Sequence, residues 1–432
     1  MNTTTRCPSA PSVKFVLRCS RCGEHVAGPV LACPRCPDAL LRSEYQERAF
    51  KPLDRQDIFR FSDWLPSKAL VDTPVGPVVY RSERLARHLG LGHLAVAFNG
   101  YAPEVGARNP TGTFKDFEAL PTLLYLREAG ASEIVLASAG STARAFAYAA
   151  TLLGFRTYIV VPETALGALW LPIQPSDAVR LIVLNGSGDY SQAIEVAGRI
   201  SSVFSIPSEG GARNVARRDG MGTALLEYGR TFGALPAHYV QAVGSGTGGI
   251  AAWEAAVRLM ASGSFPGPLP CLHLVQNAPF APIHDAWSVG ATTLLPADPS
   301  DEVRRMAEIR APVLANRRPP YALAGGVAEV LRATGGRTYA VTNDEIVAAQ
   351  RLFGDLEGVP IGPEAGAALG GLAEGLARGW IGRDDAVLLH VTGNGDALLR
   401  RDFFLHRIEP WLRIGSAEDI CQDRRLERRF AS

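Results

Sequence analysis

Lysine is scarce in this sequence. Of 44 basic residues among 432, only Lys14, Lys51, Lys68 and Lys115 are lysines, and the rest are arginines. Chemistry that needs a side-chain amine therefore has four candidates. Net charge is scarce as well. The 44 basic and 43 acidic residues leave +1, too little for the long-range field that draws a protein to nucleic acid or an anionic bilayer. Long apolar runs are missing: Ile134–Ala137 and Leu181–Leu184 fall far short of the ~20 residues of a membrane-spanning helix. The N-terminus carries no apolar block of the secretory kind. These absences predict a soluble cytoplasmic protein that engages no nucleic acid and no membrane.

Cysteine is sparse, and its distribution is uneven. Four of the seven form two knuckles, Cys19-Ser-Arg-Cys22 and Cys33-Pro-Arg-Cys36. A CxxC turn presents two thiolates on one side, and two such turns close a tetrahedral sulfur site for a structural Zn2+. A reducing compartment disfavours the disulfide alternative. Residues 1–42 thus read as a zinc-ribbon-like module, poorly ordered without its metal. Cys7, Cys271 and Cys421 are isolated and read as structural or incidental.

Residues 43–75 read as an irregular connector bearing Phe59, Phe61, Trp64 and Pro66. From about Gly76 short β-rich runs alternate with helical stretches. Leu94–Phe98, Ile134–Ala137, Thr157–Val161, Val179–Leu184, Tyr239–Val243, Leu272–Gln276 and Val387–Val391 are the strands; Asp116–Glu128, Thr142–Leu152, Ile250–Met260 and Ala365–Ala377 are among the helices. This alternation predicts βαβ units, hence an α/β fold with mostly parallel sheets. The charged tail after Pro410 reads as a solvated helix or arm.

Ligands of open α/β sheets bind where strands end at their carboxyl edges, so the junctions after strands matter most. Asn109-Pro-Thr-Gly-Thr-Phe-Lys115-Asp116 puts Lys115 at a helix start. The positive end of the helix there favours the neutral, nucleophilic amine that a Schiff-base lysine needs. Ser138-Ala-Gly-Ser-Thr142 offers hydroxyls and free backbone N–H groups to a carboxylate or phosphate. Gly244-Ser-Gly-Thr-Gly-Gly249 can curl its N–H groups around one phosphate, but lacks both the Walker lysine and the full dinucleotide fingerprint. Thr392-Gly-Asn-Gly395 ends an apolar strand and can reach a buried ring. One phosphate cup, one activated lysine and one carboxylate loop together point to pyridoxal 5'-phosphate, which has one phosphate and one aldehyde.

With these motifs the sequence resembles the fold type II pyridoxal-phosphate enzymes, the tryptophan synthase β-like group, in their threonine synthase branch. The resemblance covers about residues 75–400. Within that branch Phe98-Asn-Gly-Tyr101, Arg144-Ala-Phe-Ala-Tyr148, Glu209–Arg217 and Pro319-Pro-Tyr321 are similar to the archaeal-type cysteate synthases. The resemblance implies two open, mostly parallel sheets with helices on both faces. It further implies a large coenzyme domain (43–115 and 205–415), a small gating domain (116–204) and a C-terminal tail (416–432). Lys115 would form the covalent link to the coenzyme and shuttle the α-proton. Gly244, Ser245, Gly246, Thr247 and Gly248 would hold its phosphate, and Thr392 its ring nitrogen. Ser138, Ala139, Gly140 and Thr142 would cradle the substrate carboxylate. Ser141 stands where the family's loop carries an asparagine against the coenzyme's 3′-oxygen.

The implied reaction is β-replacement of O-phospho-L-serine by sulfite, giving L-cysteate and phosphate. Two oxyanions call for guanidinium groups, and Arg108, Arg213 and Arg217, with Asn214, flank the coenzyme segments. Alternatives are threonine synthesis from O-phosphohomoserine, a related β-replacement with another nucleophile, or a zinc-ribbon scaffold whose coenzyme site has decayed. A homodimer is the expected assembly.

Overall fold

The computed structural model describes residues 13–186, 190–416 and 430. Two sheets organise the chain. The larger has the order Arg337–Val341, Cys271–Asn277, His238–Ala242, Ala386–Val391, His93–Phe98, Val79–Arg81. Its strands are parallel apart from the antiparallel edge strand Val79–Arg81. The smaller is wholly parallel, in the order Pro410–Ile414, Val179–Leu184, Arg156–Pro162, Glu133–Ala137. Their central strands, such as Val-Leu-Leu-His-Val and Leu-Ile-Val-Leu, are apolar on both faces because helices cover both sides. Among the described residues no helix is long and apolar enough to cross a membrane.

Each expected strand and helix occurs, with ends shifted by a few residues. The tail is different. Pro410–Ile414 is a strand of the smaller sheet, with Leu412 and Ile414 buried, so a solvated helix or arm does not describe these residues. Alternating apolar residues in Pro-Trp-Leu-Arg-Ile explain the strand. The remainder of the tail, with Cys421, and the segment containing Cys7 lie outside the described residues, except for Ser416 and Phe430. Leu41–Tyr45 pairs antiparallel with Phe15–Cys19 in a three-stranded sheet, which carries the module to Tyr45.

Two helices cross behind the cavity described below. Asp116–Glu128 starts at Lys115, and Val215–Phe232 starts at Asn214, whose side chain accepts from the N–H groups of Ala216 and Arg217. They meet at Gly220, where a Cβ would lie 1.9 Å from the Phe117 carbonyl oxygen. Gly220→Ala should therefore destabilise the protein by about 1–3 kcal/mol in urea unfolding, through overpacking. Gly354→Ala is the control. That helix position has open space around it, and the same measurement should find stabilisation of about 0.5–1 kcal/mol.

Candidate active site

The four junctions found in the sequence converge on one cavity of about 360 Å³, within the range of small-ligand sites. It is lined by Lys115, by Ser138–Thr142, by Gly244–Gly248 and by Thr392. The strand ends that carry them explain the convergence: Ala137, Ala242 and Val391 all finish at the carboxyl edge of their sheets.

The glycine cup is closely packed. Gly246 has φ +77°, and a Cβ there would meet Val327 at 2.4 Å; one at Gly248 would meet the Gln241 amide at 2.4 Å. The loop leads into the helix Thr247–Ala261, whose first N–H groups have no intrahelical acceptor and face an anion well. Ser245 Oγ and Thr247 Oγ1 lie 2.7 Å apart. Under the cup a buried polar chain fixes Gln241. The Tyr239 hydroxyl sits 3.1 Å from Gln241 Oε1 and 2.6 Å from His390 Nδ1, while His390 Nε2 meets Asn99 at 2.8 Å. Burial pushes the His390 imidazole down to about 3, so it stays neutral.

At the other end Lys115 is held by a carboxylate that sequence reading overlooked. Glu118 is fully buried, one helical turn after Lys115, with Oε2 3.3 Å from Lys115 Nζ and 2.9 Å from Arg217 Nε. Its Oε1 accepts from the Thr142 hydroxyl at 3.1 Å. Arg217 also pairs with Glu209. Burial lowers the Lys115 amine below its ordinary value; Arg217 adds to this and Glu118 opposes it. Next to it, burial pushes Asp116 up to about 7 despite bonds from the Thr111 N–H and hydroxyl. Glu364, a second overlooked acid, lines the cavity near Thr392, and burial raises it too. The i, i+3 spacing to Lys115 was a legible signal for Glu118; Glu364 had none, since only the fold brings it to the Thr392 turn.

The expected substrate groups divide. Arg217 lines the cavity, whereas Arg108 is exposed on the short strand Ala107–Arg108 and lies outside the lining. Arg213 reaches the Ala39 carbonyl of the N-terminal module, and Asn214 is a helix cap bonded to Thr122 and the Glu209 carbonyl. Ser138 caps the next helix by accepting from the Ala143 N–H at 3.1 Å, and Ser141 Oγ accepts from Arg144 at 3.3 Å. Asn394 bonds both the N–H and the carbonyl of Tyr101, so the Asn of Thr392-Gly-Asn-Gly395 serves the scaffold.

The residues present fit pyridoxal phosphate: an amine opposite a glycine cup, with a hydroxyl at a strand end between sheet and cavity. The cysteine cluster fits a metal. The four sulfurs of Cys19, Cys22, Cys33 and Cys36 lie within 4.8 Å of one another, and Cys22 and Cys33 are 3.8 Å apart. That is about the edge of a tetrahedron with metal–sulfur bonds of ~2.3 Å.

Comparison with known proteins gives the family. The family model described as pyridoxal-phosphate dependent enzyme matches residues 106–393. A cysteate synthase of Methanosarcina acetivorans is 44% identical over 414 residues, spanning 96% of this chain and 100% of its own. One of Methanoculleus marisnigri is 45% identical over 412 residues, 95% of each chain. Among solved structures, a pyridoxal 5'-phosphate-dependent aspartate racemase superposes with a TM-score of 0.57 at 17% identity, covering 75% of this chain and 92% of its own. Diaminopropionate ammonia lyase from Escherichia coli gives 0.56 at 15% identity, covering 77% and 87%. At such identities these two speak for the fold alone. The chain belongs to the pyridoxal-phosphate-dependent enzymes, in the cysteate synthase family.

Proposed function

We propose that the protein joins O-phospho-L-serine and sulfite into L-cysteate and phosphate. The observation that carries this reading is near full-length identity of 43–45% to curated cysteate synthases, in a chain whose lone cavity lysine faces a phosphate cup. When bound, the coenzyme supplies an aldehyde for amine exchange and an electron sink for the α-carbon. The chain supplies the rest. Gly244–Gly248 hold the coenzyme phosphate, and Thr392 meets the ring nitrogen. The loop Ser138–Thr142 receives the substrate carboxylate on its backbone N–H groups. Lys115 Nζ removes the α-proton, and Arg217 receives the oxyanion at the β-carbon.

We further propose one structural Zn2+ on Cys19, Cys22, Cys33 and Cys36. The mutual approach of the four sulfurs, all within 4.8 Å of one another, supports this. A cytoplasmic homodimer and the two-domain division into coenzyme and gating units belong to the same reading.

Loaded protein should absorb near about 410–430 nm, where imine-linked coenzyme absorbs. Lys115→Ala should lose the band and lower turnover by about 10²-fold or more. Only the neutral amine captures the aldehyde, and the folded protein lowers its pKa. Capture by coenzyme-free protein should thus rise with pH and level off below pH 10.5, the ordinary lysine value; Arg217→Gln should move that midpoint upward. Incubation with phosphoserine and sulfite should release phosphate and yield cysteate. Phosphate released from phosphohomoserine alone would refute the reading. Metal analysis should find zinc bound to the ribbon, and Cys22→Ser with Cys36→Ser should lose about one zinc per chain and lower Tm.

A further inference from the structure

Arg217 is the one arginine lining the cavity among the described residues, yet two carboxylates already hold it. Its Nε lies 2.9 Å from Glu118 Oε2, and its Nη1 pairs with Glu209. Glu118 is shared, because the same oxygen lies 3.3 Å from Lys115 Nζ. Two cations and two carboxylates balance inside a site where an unmatched charge is costly. Glu118 has no solvent to turn to, since its side chain is fully buried. Its allegiance is therefore divided between Lys115 and Arg217 alone among charged partners, with the Thr142 hydroxyl on its other oxygen.

We propose that Glu118 times oxyanion binding: it closes Arg217 while Lys115 is tied to the coenzyme, and releases it when Lys115 becomes a free ammonium. This deepens the reading above and rests on it. With Lys115 covalently engaged, Glu118 keeps only Arg217 as a strong counter-ion, and a guanidinium flanked by two carboxylates accepts phosphate or sulfite poorly. Once an amino acid displaces Lys115 and its α-proton passes to Nζ, an ammonium stands beside Glu118. The carboxylate then turns to it. The guanidinium opens at the moment the β-phosphate is due to leave, and free sulfite is kept out until then. Glu118 is a positioning residue, since it acts through Arg217.

The test is calorimetric titration of coenzyme-loaded protein with inorganic phosphate. The coenzyme fills the glycine cup, so added phosphate reads the Arg217 subsite. E118Q should bind phosphate at least tenfold more tightly than the unmodified protein, and adding Arg217→Gln should abolish the gain. Glycine, which displaces Lys115 and can pass an α-proton to it but carries no leaving group, should tighten phosphate binding to the unmodified protein severalfold and leave E118Q unchanged. Equal affinities for E118Q and unmodified protein would overturn the proposal. If E118Q fails to retain the coenzyme, the glycine effect alone decides, and its absence overturns it. Phosphate affinity is read without turnover, so this outcome stays separate from whether cysteate forms.

Discussion

The cavity is built around a balanced set of largely buried charges, Lys115 and Arg217 against Glu118 and Glu209. Removing one member of a buried pair leaves its partner uncompensated, at about 3–5 kcal/mol. The set can exist only if its two helices approach closely enough for side chains one turn in from each N-terminus to meet. Gly220 permits that approach, because its missing side chain leaves room for the Phe117 carbonyl. Helix starts are also where a backbone is partly positive, which suits the acids Asp116 and Glu118 and disfavours charge on Lys115. Packing and electrostatics therefore point the same way, toward an amine that loses its proton readily.

The N-terminal module braces the far side of the same helix. Arg218, next to Arg217, is fully buried and donates to the Leu41 carbonyl and to Glu254. Asp219 accepts from Ser43 at 2.6 Å, from Tyr45 at 2.7 Å and from Arg258 at 2.7 Å. The strand bearing Ser43 and Tyr45 pairs with the strand that ends at Cys19. A metal on the four cysteines would thus stiffen the support behind Arg217, although it lies in a different part of the chain. Tethering also runs through Leu40, whose N–H bonds to the Ala324 carbonyl at 2.9 Å.

Much of this was legible in the sequence, for identifiable reasons. Lysine scarcity singled out Lys115, and glycine density singled out the cup, because only glycine tolerates the packing at 246 and 248. The sheets followed from apolar runs buried on both faces. The structure departs from expectation where a residue's surroundings depend on what the fold brings to it. Asn214 precedes a helix and is a cap; its neighbours in sequence suggested a ligand. Arg108 and Arg213 flank the right segments but face outward and toward the ribbon respectively. Glu118 is local and could have been found by helical spacing. Glu364 could not, since it is distant in sequence from the turn at Gly393 and the fold brings them together, with Gly362 N–H bonded to the Gly393 carbonyl at 3.0 Å.

A lone cavity guanidinium constrains the order of events. Phosphate leaving and sulfite arriving carry similar charge and similar geometry, and both need a bidentate cation. With Arg217 the one arginine among the described lining residues, the two cannot be held by separate guanidinium groups at once. On the role proposed for Arg217, the two oxyanions would use that guanidinium in turn. Replacement by one nucleophile of a leaving group so like it in shape then needs no second binding pocket. Such a cavity can stay as small as about 360 Å³ and still carry both halves of the exchange.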